Sequence, residues 1–326
     1  MSNINGVEIH DLFGLEEPTT KLIECVSAAI GKVYEPMHIK RMAKAKQKEI
    51  EIIGEAMTKN INLPSKYEDG KLLIDSTSAD ELIKRTGNRL LFTEMRKQQN
   101  IETIVYKTYK QLENEKAVTK EPIEQDWLFN FFNVIGDISN EDMQEIWSKI
   151  LVGEIKKPNT YSLRTLSTLR NITTLEAKSY EKIVPFIFYE HNTPFLYNDS
   201  ELLKKYNIDF SDLLKLEDCG LLNLNGFVSI DFNQDDNILY TDNIVLFIHG
   251  KAKIGVYTFT ESGKQILNII KKEGLSNDNY FLELCTEIKK NNKQINMNAY
   301  EIKEENENGI VYDNKKDLLS PIVKIK

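Results

Sequence analysis

Asp126-Trp-Leu-Phe-Asn-Phe-Phe132 and, a little further on, Met143-Gln-Glu-Ile-Trp-Ser-Lys-Ile-Leu-Val-Gly-Glu154 form the densest apolar block of the chain. In the second string Met143, Ile146, Trp147, Ile150 and Leu151, continued by Ile155, recur at steps of three and four, which puts them on one helix face. Ser139 stands where an N-cap belongs, and Pro158 stops the pattern. The first string opens a buried helix of its own. Leu163, Leu166 and Leu169 mark a short helix. Thr173-Thr-Leu-Glu176 is a capping box, in which hydroxyl and carboxylate satisfy opening N–H groups; it leads a helix carrying Ala177, Tyr180, Ile183, Val184 and Ile187. Four short helices with short connections predict a bundle and set the α-rich character of the fold.

Towards the N-terminus, Leu22, Ile23, Val26, Ala29, Ile30 and Val33 make an apolar helical stripe, interrupted by Gly31 and Pro36. Residues 37–57 are rich in helix formers but carry little apolar surface. Pro64, Asp69 and Gly70 mark a linker. Ser78-Ala-Asp-Glu81 is a second capping box, and its helix is expected to run to about Lys116. The middle of that helix is polar apart from Ile101, Ile104 and Val105, as in an exposed arm or one wall of a helix pair.

Towards the C-terminus, Glu201–Tyr206 and Ser211–Asp218 read as two short helices, the second closed by Gly220. Alternating segments follow at Phe227–Phe232, Ile238–Ile248 and Lys253–Phe259, and a helix then runs from Thr260 through Ile270. Helix, helix, β-ribbon, helix is the order of a winged-helix module. A helix near Tyr280–Lys290 and a strand at Ile295–Ile302 complete the tail. The expected fold is therefore α-rich α+β. Its expected parts are an N-terminal helical arm (1–60), a linker (61–77), a helical bundle (78–190), a winged-helix-like domain (191–275) and a C-terminal extension (276–326).

The 326 residues balance 28% charged against 41% hydrophobic, which is an ordinary globular mixture, and 42 − 50 gives a net charge of −8. That sign argues against nonspecific nucleic-acid binding, because phosphates attract Lys and Arg. Cys25, Cys219 and Cys285 are odd in number and far apart, which fits neither a disulfide framework nor a zinc knuckle but does fit a reducing, cytoplasmic setting. The first residues lack the basic and apolar regions of a signal peptide, and no apolar run reaches the length of a membrane span.

No phosphate loop, dinucleotide fingerprint, zinc-protease motif, nucleophile elbow or calcium loop occurs, so neither catalytic nor cofactor-binding nor metal-ligating residues are assigned. Gly263-Lys264 lacks the rest of a phosphate loop and reads as a turn entering a helix. His10, His38, His191 and His249 are isolated. Glu190-His191 could be half of an acid–base pair, although a loop position explains it as well. Asp231, Asp235, Asp236 and Asp242 could hold a divalent ion, but turns between strands favour Asp for backbone reasons. Glu145, Glu154 and Arg164 flank the Trp127–Trp147 core and could form a polar site, but a structural ion pair explains them better.

One concentrated positive feature remains. Lys32, Lys40, Arg41, Lys44, Lys46 and Lys48 oppose Glu35 alone, giving 6 − 1 = +5 over residues 32–48, and could bind an anionic partner such as a membrane surface or nucleic acid. The winged-helix segment is acidic: residues 195–272 hold eight Lys, no Arg and eleven Asp or Glu, a net −3. A major-groove helix normally presents Arg, Lys, Asn or Gln, so the module is expected to meet protein rather than DNA.

Ile30-Gly-Lys-Val-Tyr-Glu-Pro36, Arg96-Lys-Gln-Gln-Asn-Ile-Glu102, Asp126–Phe132, Met143–Glu154, Ser162-Leu-Arg-Thr-Leu-Ser-Thr-Leu-Arg-Asn171, Gly220-Leu-Leu222 and Phe259-Thr-Glu-Ser-Gly263 occur in that order. Together, over roughly residues 20–270, they resemble an uncharacterised bacterial domain-of-unknown-function family. The middle and late parts are distantly similar to the Abi-alpha abortive-infection proteins. The resemblance implies a bacterial host and a link to phage defence, and supplies no catalytic residues. The expected function is a non-enzymatic interaction or scaffold protein, self-associating through its N-terminal arm and requiring no cofactor. A winged-helix DNA-binding regulator is the alternative, and a metal-dependent nuclease is a third reading.

Overall fold

A computed structural model of the chain describes residues 15–30, 67–68, 71–72, 76–113, 115–232, 237–271, 274–306 and 309–320. They fall into two units, Met1–Leu166 and Ser167–Lys326.

The first unit is built on four helices: α1 (Pro18–Ile30), α2 (Ser76–Leu112), α3 (Gln125–Ile135) and α4 (Glu141–Lys156). Two-residue strands β1 (Leu15–Glu16) and β4 (Val118–Thr119) pair antiparallel, and β2 (Tyr67–Glu68) pairs with β3 (Lys71–Leu72). The aromatic block forms the centre. Trp127 stacks on Phe131 at 5.0 Å, Phe131 meets Trp147 at 5.7 Å, and Trp127 Nε1 donates to the Tyr161 carbonyl at 2.6 Å. Both tryptophans are buried.

The stripe of α1 is spent inside this unit: Leu22, Cys25 and Val26 are buried, and the helix packs on α2, α3 and α4. Lys21 is buried too, with its ammonium donating to the carbonyls of Thr119 and Glu121 at 2.6 and 2.7 Å. At 37 residues, α2 is about 55 Å long. It starts at Ser76, so the expected capping box at Ser78 falls inside the helix. Its second half packs on α4 through Ile101, Ile104, Val105, Thr108 and Leu112, whereas Leu90, Leu91 and Phe92 in its first half are exposed. The cap of α4 also differs from expectation. Asn140, one residue later than Ser139, accepts from the Met143 N–H, and Ser139 Oγ accepts instead from Asn100.

Helix α5 (Leu163–Asn171) crosses the division between the units. In the second unit α6 (Thr174–Ile183) opens with the expected reciprocal cap between Thr173 and Glu176. It ends earlier than its apolar spacing suggests. Pro185 lies in a 3₁₀ turn, Val184–Phe186, and the chain then enters strands β5 (Phe188–Glu190) and β6 (Thr193–Tyr197). Next come α7 (Ser200–Lys205), α8 (Phe210–Asp218), β7 (Leu222–Asn223), β8 (Ser229–Phe232), β9 (Asn237–Tyr240), β10 (Ile244–His249) and β11 (Ala252–Phe259). Helices α9 (Glu261–Ile270) and α10 (Asp278–Asn291) precede β12 (Asn296–Asn306) and β13 (Gly309–Asp313).

The strands make one antiparallel sheet in the order β13-β12-β10-β9-β5-β6-β11-β7, with β8 also on β11. The α+β class expected from the sequence is thus found, on a larger sheet than the four expected β segments imply. Residues 296–313 belong to the same sheet as residues 188–259. On β10 and β12, Leu246, Ile248, Met297 and Ala299 are buried on one face, while the registers put Phe247 and Tyr300 on the other. There the Phe247, Tyr300 and Tyr312 rings meet at 5.1 to 6.0 Å. Helix α10 buries Tyr280, Phe281, Leu284, Cys285 and Ile288, each contributing about 1.5–3 kcal/mol where full-sized and apolar.

Candidate functional site

In α8 two faces separate cleanly. Leu213 and Leu216 point inward, and the Asp212 carboxylate goes with them, accepting from Lys182 Nζ at 2.5 Å, Ser179 Oγ at 3.1 Å and Lys215 Nζ at 3.2 Å. Burial alone would raise this carboxyl; the two ammoniums and the hydroxyl outweigh it and hold it down at about 2. Ser179 and Lys182 belong to α6, so the cluster fixes α8 on α6 and sets its rotation. The end of α8 is equally determined. Gly220, at φ 75°, donates to the Glu217 carbonyl and Leu221 donates to that of Leu216, the two bonds of a Schellman cap closed by the expected glycine.

With the inner face pinned, Phe210, Leu214 and Glu217 share the outer face at i, i+4 and i+7. Phe210 is 53% exposed and Leu214 41%. Asp209, Glu217 and Asp218 are the exposed charges of this stretch, and its lysine, Lys215, is engaged with Asp212. An open cavity of about 220 Å³ adjoins Phe210, walled by Leu203, Lys204, Ile208, Leu213 and Tyr257. In the turn between β7 and β8, Phe227 is 96% exposed. The surface is apolar with an excess of acids, Lys204 being the exposed cation at the cavity. Its signal in the sequence is the helical spacing of Phe210 and Leu214, which cannot share the inward face with Leu213 and Leu216.

The other sequence candidates lie as follows. Lys32, Lys40, Arg41, Lys44, Lys46 and Lys48, with His10, His38, Asp235 and Asp236, fall outside the described residues. Asp231 is in β8 beside Ser229, whereas Asp242 pairs with Lys271 at 2.7 Å at a polar open cavity of about 660 Å³. Lys271 also sits 4.5 Å over the Tyr189 ring. His191 and Asn192, at φ 46° and 64°, are the two residues of the β5–β6 hairpin turn, and the His191–Glu190 contact at 2.7 Å is local to it. Glu145 binds Lys107 and Gln111, and Glu154 binds the backbone of the 159–161 loop, so the two do not converge. Gly263 lies in the first turn of α9, where an added Cβ would stand 2.2 Å from the Leu221 carbonyl oxygen. Among the described residues no three His, Cys, Asp or Glu side chains form a metal-sized group. No helix among them is long and apolar enough to cross a membrane.

Residues 84–285 match the profile of a family described as protein of unknown function (DUF2806), and the chain belongs to that family. The match runs from within α2 to within α10. No curated protein and no solved structure matches the chain.

Proposed function

We propose that the protein is a non-enzymatic interaction protein whose second unit docks a protein partner on the outer face of α8. The observation that carries the reading is the pairing of Phe210 and Leu214 with exposed acids on a helix whose basic residue faces Asp212. An apolar segment flanked by Lys or Arg is the chemistry that fits. Affinity capture from host extract tests it, using the wild type and a Phe210→Glu/Leu214→Glu variant. Proteins retained by the wild type and lost from the variant are expected. Identical capture by both would overturn the reading.

The regulator alternative draws support from connectivity. Helix α6, strand β6, helices α7 and α8 and then β7, β8 and β11, with β11 between β6 and β7, resemble the winged-helix order, with β5 inserted after α6 and β9 and β10 before β11. In that reading α8 would be the recognition helix. Its acidic face opposes phosphate, so titration of the full chain with duplex DNA at ~50 mM salt is expected to show no sub-micromolar, sequence-dependent binding. Such binding would put the DNA reading first. A part in antiviral defence has only the abortive-infection resemblance behind it. Self-association through the N-terminal arm, and anionic-partner binding by its basic residues, are proposals for residues beyond α1, because the apolar face of α1 is used within the first unit.

A further inference from the structure

The first half of α2 carries a charged face that packing within the first unit leaves open. Arg85, Arg89, Phe92 and Arg96 stand at i, i+4, i+7 and i+11, within about 60° of one another around the helix. All four are exposed, Phe92 at 64%. Among the described residues none of the three guanidiniums has a hydrogen-bond or carboxylate partner, whereas Glu94, the acid of this stretch, pairs with Lys97 at 3.4 Å. From Lys84 to Lys97 five cations oppose that one acid, 5 − 1 = +4, in a chain whose net charge is −8. Exposed charges are screened beyond about 8–10 Å, so a ligand here meets the local sign rather than the sum over the chain. The second half of the same helix is held on α4 through Ile101, Ile104 and Val105, which fixes the spacing of the row before any ligand arrives.

Three guanidiniums in line call for a row of oxyanions. Along the axis they lie about 6 and 10 Å apart, a spacing that a chain of phosphates meets and one small anion does not. The phenyl ring among them decides which kind of chain. A helix made for a membrane surface sets its apolar residues opposite its basic ones. Here Phe92 lies within the arginine row, while Leu90 and Leu91 lie on the other side with Glu94 between them. A ring between cations suits an unpaired base, which stacks on the ring while its phosphates reach the guanidiniums. In a duplex the bases are already stacked on one another and have no face to offer.

We propose that this face of α2 binds single-stranded nucleic acid without regard to sequence. Arg85, Arg89 and Arg96 each take a phosphate, and Phe92 stacks one base, whichever it is, because every base has a π-face.

Fluorescence anisotropy of a labelled oligo(dT) of about 12 nucleotides, titrated with the full chain at ~50 mM salt, tests this. Micromolar binding is expected, with log K falling against log salt at a slope of about −2, the value for three phosphate contacts on a single strand. The variant Arg85→Gln/Arg89→Gln/Arg96→Gln, folded by circular dichroism, is expected to lose about tenfold or more, and most of the slope. Phe92→Ala is expected to lose about fivefold or more with the slope unchanged, and Phe92→Tyr to keep the affinity, because stacking needs a ring and no charge. The proposal is overturned by an absence of binding, by equal binding of the triple variant or of Phe92→Ala, or by a duplex of the same length held as tightly. Vesicles of anionic lipid bound by the wild type and not by the triple variant, with no binding of oligo(dT), would assign the face to a membrane and overturn it as well.

Discussion

Glu154 spends both carboxylate oxygens inside the first unit, on the N–H groups of Asn159 at 2.6 Å and Tyr161 at 3.0 Å. Burial raises its carboxyl above the ordinary value, against the pull of those N–H groups and of Lys21. A raised folded value means that the folded state holds the proton more tightly. The stability from this group is fully present below the unfolded value and is lost as pH rises through the folded one. Asp212 runs the other way: its contribution is present above the unfolded value of 3.8 and lost as pH falls toward about 2. Urea titrations of the wild type and Asp212→Asn at pH ~2 and ~7 separate the two. The variant is expected to lose about 1–3 kcal/mol at neutral pH and much less in acid. An equal loss at both would show that the lysines do not depend on the charge. Trp147, wholly buried, makes a simpler case, and Trp147→Ala is expected to cost about 3–5 kcal/mol in the same titration.

Among the elements, those with strong spacing or explicit caps were readable in advance. The Thr173 box, the α4 stripe and the helices at 200–205 and 210–218 lie close to where the residues put them. The β5–β6 hairpin was hidden because three- and five-residue strands give almost no alternation, and Pro194 demotes the second. The role of Gly263 was hidden for another reason, since only packing shows that the α9 entrance lies against the Leu221 carbonyl. Tyr180 Oη donates to the Gly263 carbonyl at 2.7 Å, and Thr260 Oγ1 accepts from its N–H at 3.0 Å, so the turn is held on three sides. Gly263→Ala cannot be accommodated without moving backbone, and a thermal melt is expected to show a loss above the ~1 kcal/mol that helix propensity would return. A neutral or raised midpoint would mean that Leu221 yields freely.

At the scale of the whole chain, composition and periodicity delivered the α+β class but understated the sheet. Strand β12 pairs with β10, and their partners lie some fifty residues apart in sequence, a contact no local pattern announces. The candidate surface on α8 was half legible. Its acidity could be counted from the sequence, but the exposure of Phe210 depends on the Asp212 cluster that turns the helix. The long-range pairing has a consequence for how the protein is made. During synthesis β9 and β10 leave the ribosome well before β12 exists, so the growing chain must carry β10 with one edge open and its apolar face uncovered by β12. Completion of the sheet waits until residues 296–306 have been made. A message truncated after about residue 293 would therefore yield an adhesive product, because β10 would keep an open edge.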